Sequence, residues 1–196
     1  FESLLITVKN TQPHTVWCNV HLEDGDSNTA IVMASQNQNN MHVVQIADNT
    51  FRVENVAEGM LDIDLGSSRF QTVITPYESK SICKYHPENL KIQIPANEPE
   101  IYVDVVMKKS GFFYGTVKDE NQNPVVDAFL EASEYQGQNR QIAQGTTGRN
   151  GEFFIGQFGP ITLDREYILQ VRKGHVIVKR IGPIAPSLEE IPIQIP

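Results

Sequence analysis

Histidines are the first residues to examine for metal binding or proton transfer, because their side chains titrate near neutral pH. The five histidines of the chain are His14, His21, His42, His86 and His175. None lies three or four positions from another, so no local pair has the spacing of neighbouring metal ligands. A metal site assembled from histidines on separate strands is still an alternative. We expect surface or packing roles for these side chains, with no metal and no cofactor.

Carboxylates are concentrated at two places in the sequence. The acidic run at residues 23–26 has the composition of a calcium loop, but the full spaced pattern with a distal glutamate is missing. A solvated turn explains this run. Asp62 and Asp64 alternate with apolar residues, which is typical of side chains on the outer face of a strand. Neither group predicts catalysis.

The hydroxyl nucleophiles lack the contexts that would activate them. No serine lies in a G-x-S-x-G turn; those considered are Ser3, Ser67, Ser79 and Ser133. The glycine-containing segments 66–68 and 145–148 are not followed by the G-K-[S/T] of a phosphate loop. The sequence therefore predicts no catalytic residue and a protein that is not an enzyme.

The two cysteines, Cys18 and Cys83, fit no zinc pattern and form no C-x-x-C motif. Each lies in an alternating apolar stretch, where a thiol in the core is one interpretation. In an oxidising compartment the two can instead pair, and the closed loop would contribute about 4 kcal/mol by the chain-entropy estimate. The sequence leaves both interpretations open.

Composition limits the classes of partner. The chain has 196 residues, 40% of them hydrophobic, and a formal net charge of −8. An acidic chain of this kind lacks the basic face that nucleic-acid binding needs. No run of about 18 apolar residues occurs, so we expect no membrane insertion through a helix. The chain begins at Phe1 without a basic n-region or an apolar h-region, and we interpret it as an excised fragment or a mature chain.

Short alternating segments separated by turn residues run through the whole chain. Such spacing is typical of β-sandwiches and barrels. Segment 125–135 is ambiguous, because Pro124 and an Ala-, Leu- and Glu-rich stretch also suit a short helix; its strong turn signals favour a strand. The predicted strands outside segment 114–155 lie near residues 3–8, 15–22, 29–34, 41–47, 51–56, 60–65, 69–75, 90–94, 101–107, 167–171, 176–181 and 191–196.

The fold class predicted from this pattern is all-β, with two consecutive β-sandwich domains of Ig-like or transthyretin-like type. We place the boundary near residue 110, so that residues 1–110 form one sandwich and residues 111–196 the other. The second begins with segment 114–155, which has the order strand, tight turn, strand, longer connection, strand, Asn-Gly turn, strand.

Segment 114–155 resembles the transthyretin-like, carboxypeptidase-regulatory-like β-sandwich. Two positions depart from that pattern: Asn123 replaces a glycine, and Gly148 replaces an aspartate that would cap a turn. The resemblance implies a scaffold and no particular activity, since this module occurs in many settings. The matching residues are Gly115, Val117, Asp119, Pro124, Val125, Ala128, Leu130, Thr147, Gly151 and Phe153.

A wider stretch resembles the C-terminal periplasmic region of a divergent outer-membrane usher. The resemblance rests on the order of segments 59–65 and 73–79, the latter containing Pro76-Tyr77, followed by strands 90–94 and 101–107 and the Gly115 motif. It implies a module that holds chaperone–subunit complexes during fimbrial assembly. Protein partners are then expected, at the periplasmic face of the outer membrane or at the cell surface. The alternatives are a tandem Ig-like adhesive module and an accessory domain of a secreted hydrolase.

Overall fold

The protein is all-β, as the alternating pattern predicts. The structure, a computed structural model, describes residues 13–25, 30–136, 141–157 and 161–196, and within these ranges it contains 17 strands and no helix. The strands are β1 (His14–Leu22), β2 (Ala30–Gln36), β3 (Asn39–Asn40), β4 (Val43–Ala47), β5 (Thr50–Val56), β6 (Gly59–Ser67), β7 (Phe70–Ile74), β8 (Ser79–Cys83), β9 (Glu88–Ile94), β10 (Glu100–Met107), β11 (Phe113–Lys118), β12 (Phe129–Glu134), β13 (Gln141–Thr146), β14 (Glu152–Ile155), β15 (Tyr167–Lys173), β16 (Val176–Ile184) and β17 (Ile191–Gln194).

The ambiguous segment 125–135 is a strand over its second half, β12, and not a helix. Before that strand, Asp127 has a φ of 56°, which a right-handed helix does not accommodate. The backbone N–H of Ala128 donates to the hydroxyl of Thr147 at 2.9 Å. Strand β8 was not among the predicted strands, and the predicted strand at residues 3–8 lies outside the described residues.

Contacts divide the chain into two compact units. The first unit comprises Phe1–Gly66 and Glu88–Val106, and the second comprises Ser67–Pro87 and Met107–Pro196. This division differs from the expected one mainly in residues 67–87, which contain β7 and β8 and belong to the second unit. That residues 1–110 and 111–196 are separate domains stays a prediction.

The first unit contains two four-stranded sheets, in the orders β10-β1-β5-β4 and β3-β2-β6-β9. Alternate residues of their strands are buried, as Val16 on β1 and Leu61 on β6 illustrate. Cys18 is buried on the same face of β1 as Val16, and Cys83 on β8 is half-buried. Both are free thiols in the structure, and the Cys18–Cys83 disulfide stays a prediction. The Cys18 thiol packs in the core of its own unit.

The second unit contains a three-stranded sheet, β14-β11-β17, a four-stranded sheet, β13-β12-β15-β16, and the two-stranded β7–β8 hairpin. One apolar cluster joins both larger sheets, with Phe113 and Val117 from β11 and Leu130 from β12. The last strand, β17, pairs in parallel with β11 at an edge of its sheet. Its Pro192 suits such an edge position, because proline has no N–H to donate.

Candidate functional site

The glycines of the turn motif allow backbones to approach closely. A Cβ at Gly115 would overlap the carbonyl oxygen of Ile191 on the parallel neighbour β17, and a Cβ at Gly151 would overlap the carbonyl oxygen of Val117. Gly151 also has a φ of 76°, which favours glycine. Both residues are therefore required by the packing of the sandwich, and neither faces a ligand site.

Asp119 caps the turn that precedes Pro124. Its carboxylate accepts hydrogen bonds from the N–H groups of Asn121 (2.9 Å) and Asn123 (2.8 Å) and from the Asn123 side-chain amide (3.1 Å). The bonds from Asn123, first of all its side chain, lower the pKa of Asp119 below its ordinary value. The left-handed residue of this turn is Gln122, with a φ of 65°, so Asn123 contributes an amide donor to the turn and no positive φ.

The second departure from the sandwich pattern is compensated nearby. Gly148 lacks the capping carboxylate, but Glu152 accepts a hydrogen bond from the N–H of Asn150 at 2.7 Å. A Cβ at Gly148 would lie 2.3 Å from the carboxylate of Glu152, so the missing side chain leaves room for that carboxylate. The N–H of Gly148 also donates to the carbonyl oxygen of Glu152 at 2.8 Å.

The remaining motif residues are structural as well. Ala128 and Phe153 lie in the apolar cluster, and Pro124 forms an isolated bridge with Lys118. The motif that dominates the sequence therefore builds turns and core. It brings together none of the histidines, cysteines or serines considered above.

The Pro76-Tyr77 segment forms the tip of the β7–β8 hairpin. The N–H of Thr75 donates to the carbonyl oxygen of Glu78 at 2.9 Å, and the Thr75 hydroxyl accepts from the N–H groups of Tyr77 (3.3 Å) and Glu78 (3.1 Å). Thr75 is buried although it lies in a turn. These bonds hold the tip in one conformation, which fixes the direction of the Tyr77 side chain.

Tyr77 fastens the hairpin tip to the sandwich of the second unit. Its hydroxyl donates to the carboxylate of Glu190 at 2.5 Å, and that carboxylate also accepts from the hydroxyl of Thr116 on β11 at 3.2 Å. The hydrogen bond to Glu190 is the main cause that raises the pKa of Tyr77, with burial next. The tyrosine of the usher-like segment therefore acts as a structural clamp.

No described strand pairs with the outer edge of β7, and we call this edge open. The hairpin bonds occur at odd-numbered positions of this strand's register: Lys84 N–H donates to Arg69 O at 3.0 Å, and Thr75 N–H donates to Glu78 O. Hydrogen bonding alternates along an antiparallel ladder, so the even-numbered positions direct their N–H and C=O groups away from β8. Among the described strands β7 pairs with β8 alone. The positions with outward-directed backbone groups are Phe70, Thr72 and Ile74.

A cleft of about 790 Å³ lies where two sheet edges of the second unit come together. Its walls are the edge strands β13 and β14. Glu78, just before β8, and Lys80, in β8, border it. Gly145 allows the approach, since a Cβ there would lie 2.7 Å from the carbonyl oxygen of Phe154. We call this feature the edge cleft. Its volume is in the range of ligand sites, about 300–1,000 Å³.

The charged groups of the edge cleft already have partners. Lys80 pairs with Glu78 at 2.8 Å, and Glu152 caps its own turn as described above. Among the described residues, the lining contains no histidine, cysteine or serine. The cleft is suited to recognition by shape, backbone groups and a few charges.

The first unit presents an aromatic row on the outer face of its β10-β1-β5-β4 sheet. The rings of Trp17 and Tyr102 are within 7° of parallel, with centroids 6.4 Å apart, and the Arg52 guanidinium lies 5.6 Å from the Trp17 ring. Arg52 also forms an ion pair with Glu54, and His42 lies 3.4 Å from the same carboxylate. The histidine contact is the main cause that lowers the pKa of Glu54.

Metal binding has no support in the described residues. No group of three or more His, Cys, Asp or Glu side chains there could hold an ion. His14 is buried with Nδ1 2.5 Å from the Glu98 carbonyl oxygen, and Asp64 accepts from the Asn89 amide at 2.6 Å. In the same part of the chain, no helix is long and apolar enough to cross a membrane.

The sequence missed the edge cleft and the open edge of β7, because both depend on where distant strands come to lie. One signal was present. Residues 70–74, Phe-Gln-Thr-Val-Ile, form an uncharged β-prone run that ends just before Pro76. Such a run, between turn signals, indicates a strand that carries no charge to protect an exposed edge.

No family model and no curated protein sequence matches the chain. Three similar solved structures are the Bacillus anthracis TIE protein (TM-score 0.34, 14% identity, 93% of this chain and 33% of that one), the shaft pilin spaA from Lactobacillus rhamnosus GG (0.34, 8%, 94% and 96%) and a protein described as an adhesin from Bacteroides ovatus (0.39, 7%, 99% and 95%). The chain thus spans about a third of the TIE protein. These similarities accompany an all-β fold and assign no family.

Proposed function

We propose that this chain is a non-enzymatic protein-binding module that holds a β-rich partner, in the manner of the periplasmic region of a pilus-assembly usher. The edge cleft is the observation that carries the proposal. It places two edge strands, β13 and β14, beside one opening of about 790 Å³. Edge strands recognise extended partner segments through backbone hydrogen bonds, while the spaces between them accept side chains.

The composition of the cleft favours a protein over a small metabolite. Polar side chains and glycine backbone line much of it, and the half-buried Phe154 supplies apolar surface. Phe154 is supported from behind by Phe112, with ring centroids 5.3 Å apart. A surface that combines an aromatic side chain with surrounding polar groups is typical of protein recognition.

The usher assignment adds the sequence resemblance to this geometry. The Pro76-Tyr77 tip and the Glu78–Lys80 pair belong to the same hairpin, so the usher-like segment also forms one border of the edge cleft. Chaperone–subunit complexes are the proposed partners, at the periplasmic face of the outer membrane. The clamp between Tyr77 and Glu190 would keep this border in place while a partner is bound.

The test is binding of the purified chain to its cognate chaperone–subunit complex, measured by biolayer interferometry. Lys80→Glu would place three carboxylates around the opening, and we expect it to weaken binding by about tenfold. Lys179→Glu is the matched control, because it makes the same charge change on β16, at the opposite edge of the same sheet as β13. The control should bind as the unmodified chain does.

Three outcomes separate the possibilities. No binding of the unmodified chain at micromolar concentrations would reject the usher role. Binding that Lys80→Glu and Lys179→Glu affect equally would reject the edge cleft as the site. Loss of binding in Lys80→Glu alone, with an unchanged thermal melt, would support both the usher role and the edge cleft as the binding site.

The second candidate is a tandem adhesive or structural module of a cell-surface protein. The aromatic row of the first unit favours it, since Trp, Tyr and Arg are the residue types enriched among binding hot spots, and Tyr102 is 65% exposed. Protease treatment of intact cells distinguishes the two. Cleavage of the native protein without permeabilisation indicates surface display, whereas cleavage only after the outer membrane is opened indicates the periplasmic role.

A further inference from the structure

Strand β7 combines an open edge with an uncharged apolar surface. Phe70 is 59% exposed and Ile74 is 82% exposed, although both are large hydrophobic residues. The sheet to which β7 belongs has two strands, and a two-stranded hairpin is marginal without further pairing or packing. Natural edge strands are usually protected by charges, prolines or bulges. Strand β7 has none of these between Phe70 and Ile74.

Several other edges among the described strands show the protection that β7 lacks. Strand β16 carries Lys179 and Arg180, and β17 carries Pro192. Strand β4 is also uncharged, but its register with β5 shifts between Gln45 and Ala47, and such an irregularity interrupts an edge. Strand β13 is likewise uncharged, but it lies beside β14 at the edge cleft, whereas β7 has no described strand beside its outer edge.

We propose that β7 is a self-association site, at which two copies of the chain pair their β7 strands antiparallel about a two-fold axis through Thr72. This pairing would join two hairpins into one four-stranded sheet. Thr72 directs its backbone groups outward, so each copy would donate its N–H to the Thr72 carbonyl oxygen of the other. The inference is independent of the edge cleft and of its partner.

The sequence of β7 is complementary to itself in this register. Phe70 of each copy lies opposite Ile74 of the other, and aromatic–aliphatic pairs of this kind stabilise a sheet. Thr72 lies opposite its own copy, which is also a favourable cross-strand pair. The nearest charge, Arg69, lies opposite Thr75 and not opposite another cation. A second copy therefore meets no like charge along the strand, which is the reason to choose it as the occupant.

Charge placed on the two-fold axis gives a test specific to this geometry. Thr72→Asp and Thr72→Lys each set like charges opposite each other and remove the threonine pair, so each should raise the dimer dissociation constant about five- to tenfold. An equimolar mixture of the two variants sets opposite charges on the axis and should recover dimerisation. Sedimentation velocity at low ionic strength measures all three samples.

A second pair of variants tests the backbone contribution. Thr72→Pro removes the outward N–H in both copies, two hydrogen bonds in all, and should weaken the dimer about thirtyfold. Thr72→Val keeps the N–H and replaces the threonine pair by another β-branched pair, so its dimer dissociation constant should stay within about threefold of that of the unmodified chain. Far-ultraviolet circular dichroism checks that each variant keeps its strands.

The results that would overturn the proposal are definite. An unmodified chain that stays monomeric at several hundred micromolar rejects it. A dimer that Thr72→Asp and Thr72→Lys leave intact, or whose loss the mixture does not reverse, places the interface elsewhere. Capture of an extended segment of a different protein on β7, without self-association, would likewise reject a second copy as the occupant.

Discussion

The turn motif at residues 114–155 and the β7–β8 hairpin belong to the same unit and have opposite properties. In the motif, the matching residues form turns or pack in the core. Asp119 caps a turn with its carboxylate, and Gly151 lacks the Cβ that would overlap a neighbouring backbone. In the hairpin, the side chains of one face pack in the core, and those of the other face are exposed. Phe70 and Ile74 extend into solvent while Ile82 is fully buried.

This difference separates residues that build the scaffold from residues that are free to bind. The edge strands β13 and β14 lie within segment 114–155 as well, but they contribute to the edge cleft through their strand edges and not through the turn residues. A residue whose partners are all within its own unit can be replaced only at the expense of folding, whereas an exposed apolar residue at an open edge can be replaced with little effect on folding. The motif attracts attention in the sequence because turns need special residues. The hairpin has no sequence motif, but its exposed apolar face is better suited to binding a partner. Substitutions in each region can test this division.

Within the turn motif, the largest effect is expected at Gly151. In Gly151→Ala the new Cβ overlaps the Val117 carbonyl oxygen while φ is 76°, so overpacking of about 1–3 kcal/mol adds to left-handed strain of about 1–2 kcal/mol. We expect the free energy of unfolding to fall by about 3 kcal/mol. Urea denaturation measures the change.

Gly174→Ala is the matched control for this substitution. Gly174 also has a positive φ, of 60°, but nothing lies within 4 Å of a Cβ there. It should cost only the backbone strain, about 1–2 kcal/mol. Equal losses in the two variants would mean that the close approach to Val117 is not what fixes this turn.

Asp119 should make a smaller contribution that depends on pH. Its pKa is lowered in the folded protein, so its stabilising contribution is present above the unfolded pKa of about 3.9 and is lost as the pH falls through the lower folded value. Asp119→Asn removes this linkage. We expect the unmodified chain to be more stable than the variant at about pH 7, and the difference to shrink by about pH 2.5.

The measurement is urea denaturation of both proteins at the two pH values. Other carboxylates titrate in the same range, and comparing the variant with the unmodified chain cancels their common contribution. A difference that stays constant from neutral to acid pH would contradict a role for the ionised carboxylate as the cap.

The sequence predicted the parts of the fold that depend on local pattern. The alternation of apolar and polar residues predicted strands β1 and β6, and the turn-forming residues predicted the turns at Asp119 and Gly151. The ambiguous segment 125–135, assigned to strand, is a strand over its second half. These features are set by neighbours within a few residues along the chain, which is why one sequence suffices to predict them.

The features that the sequence did not predict depend on distant residues. The bond between Tyr77 and Glu190 joins positions 113 residues apart, and it helps to associate the hairpin with the second unit. The edge cleft forms only where β8, β13 and β14, which are distant in sequence or in different sheets, lie side by side. Glu152 takes over the capping role at Gly148 only because the turn brings the two residues into contact.

The smallest effect on stability is expected on the open face of the hairpin. Ile74→Ser replaces a side chain that is 82% exposed, and the free energy of unfolding should change by no more than about 0.5 kcal/mol. Self-association should nevertheless weaken, because Ile74 loses its proposed contact with Phe70 of the second copy. Urea denaturation and sedimentation velocity of one sample measure the two quantities separately.

Ile82→Ser is the control on the other face of the same hairpin. Ile82 is fully buried, so removing most of its side chain should destabilise the fold by about 2–5 kcal/mol, the range of large-to-small substitutions in a core. The comparison thus predicts that Ile82→Ser lowers the stability of the fold without changing the exposed face of β7. It predicts that Ile74→Ser weakens self-association without lowering stability. If Ile74→Ser unfolds the protein as readily as Ile82→Ser, the outer face of β7 is part of the scaffold, and the division between the hairpin and the turn motif fails.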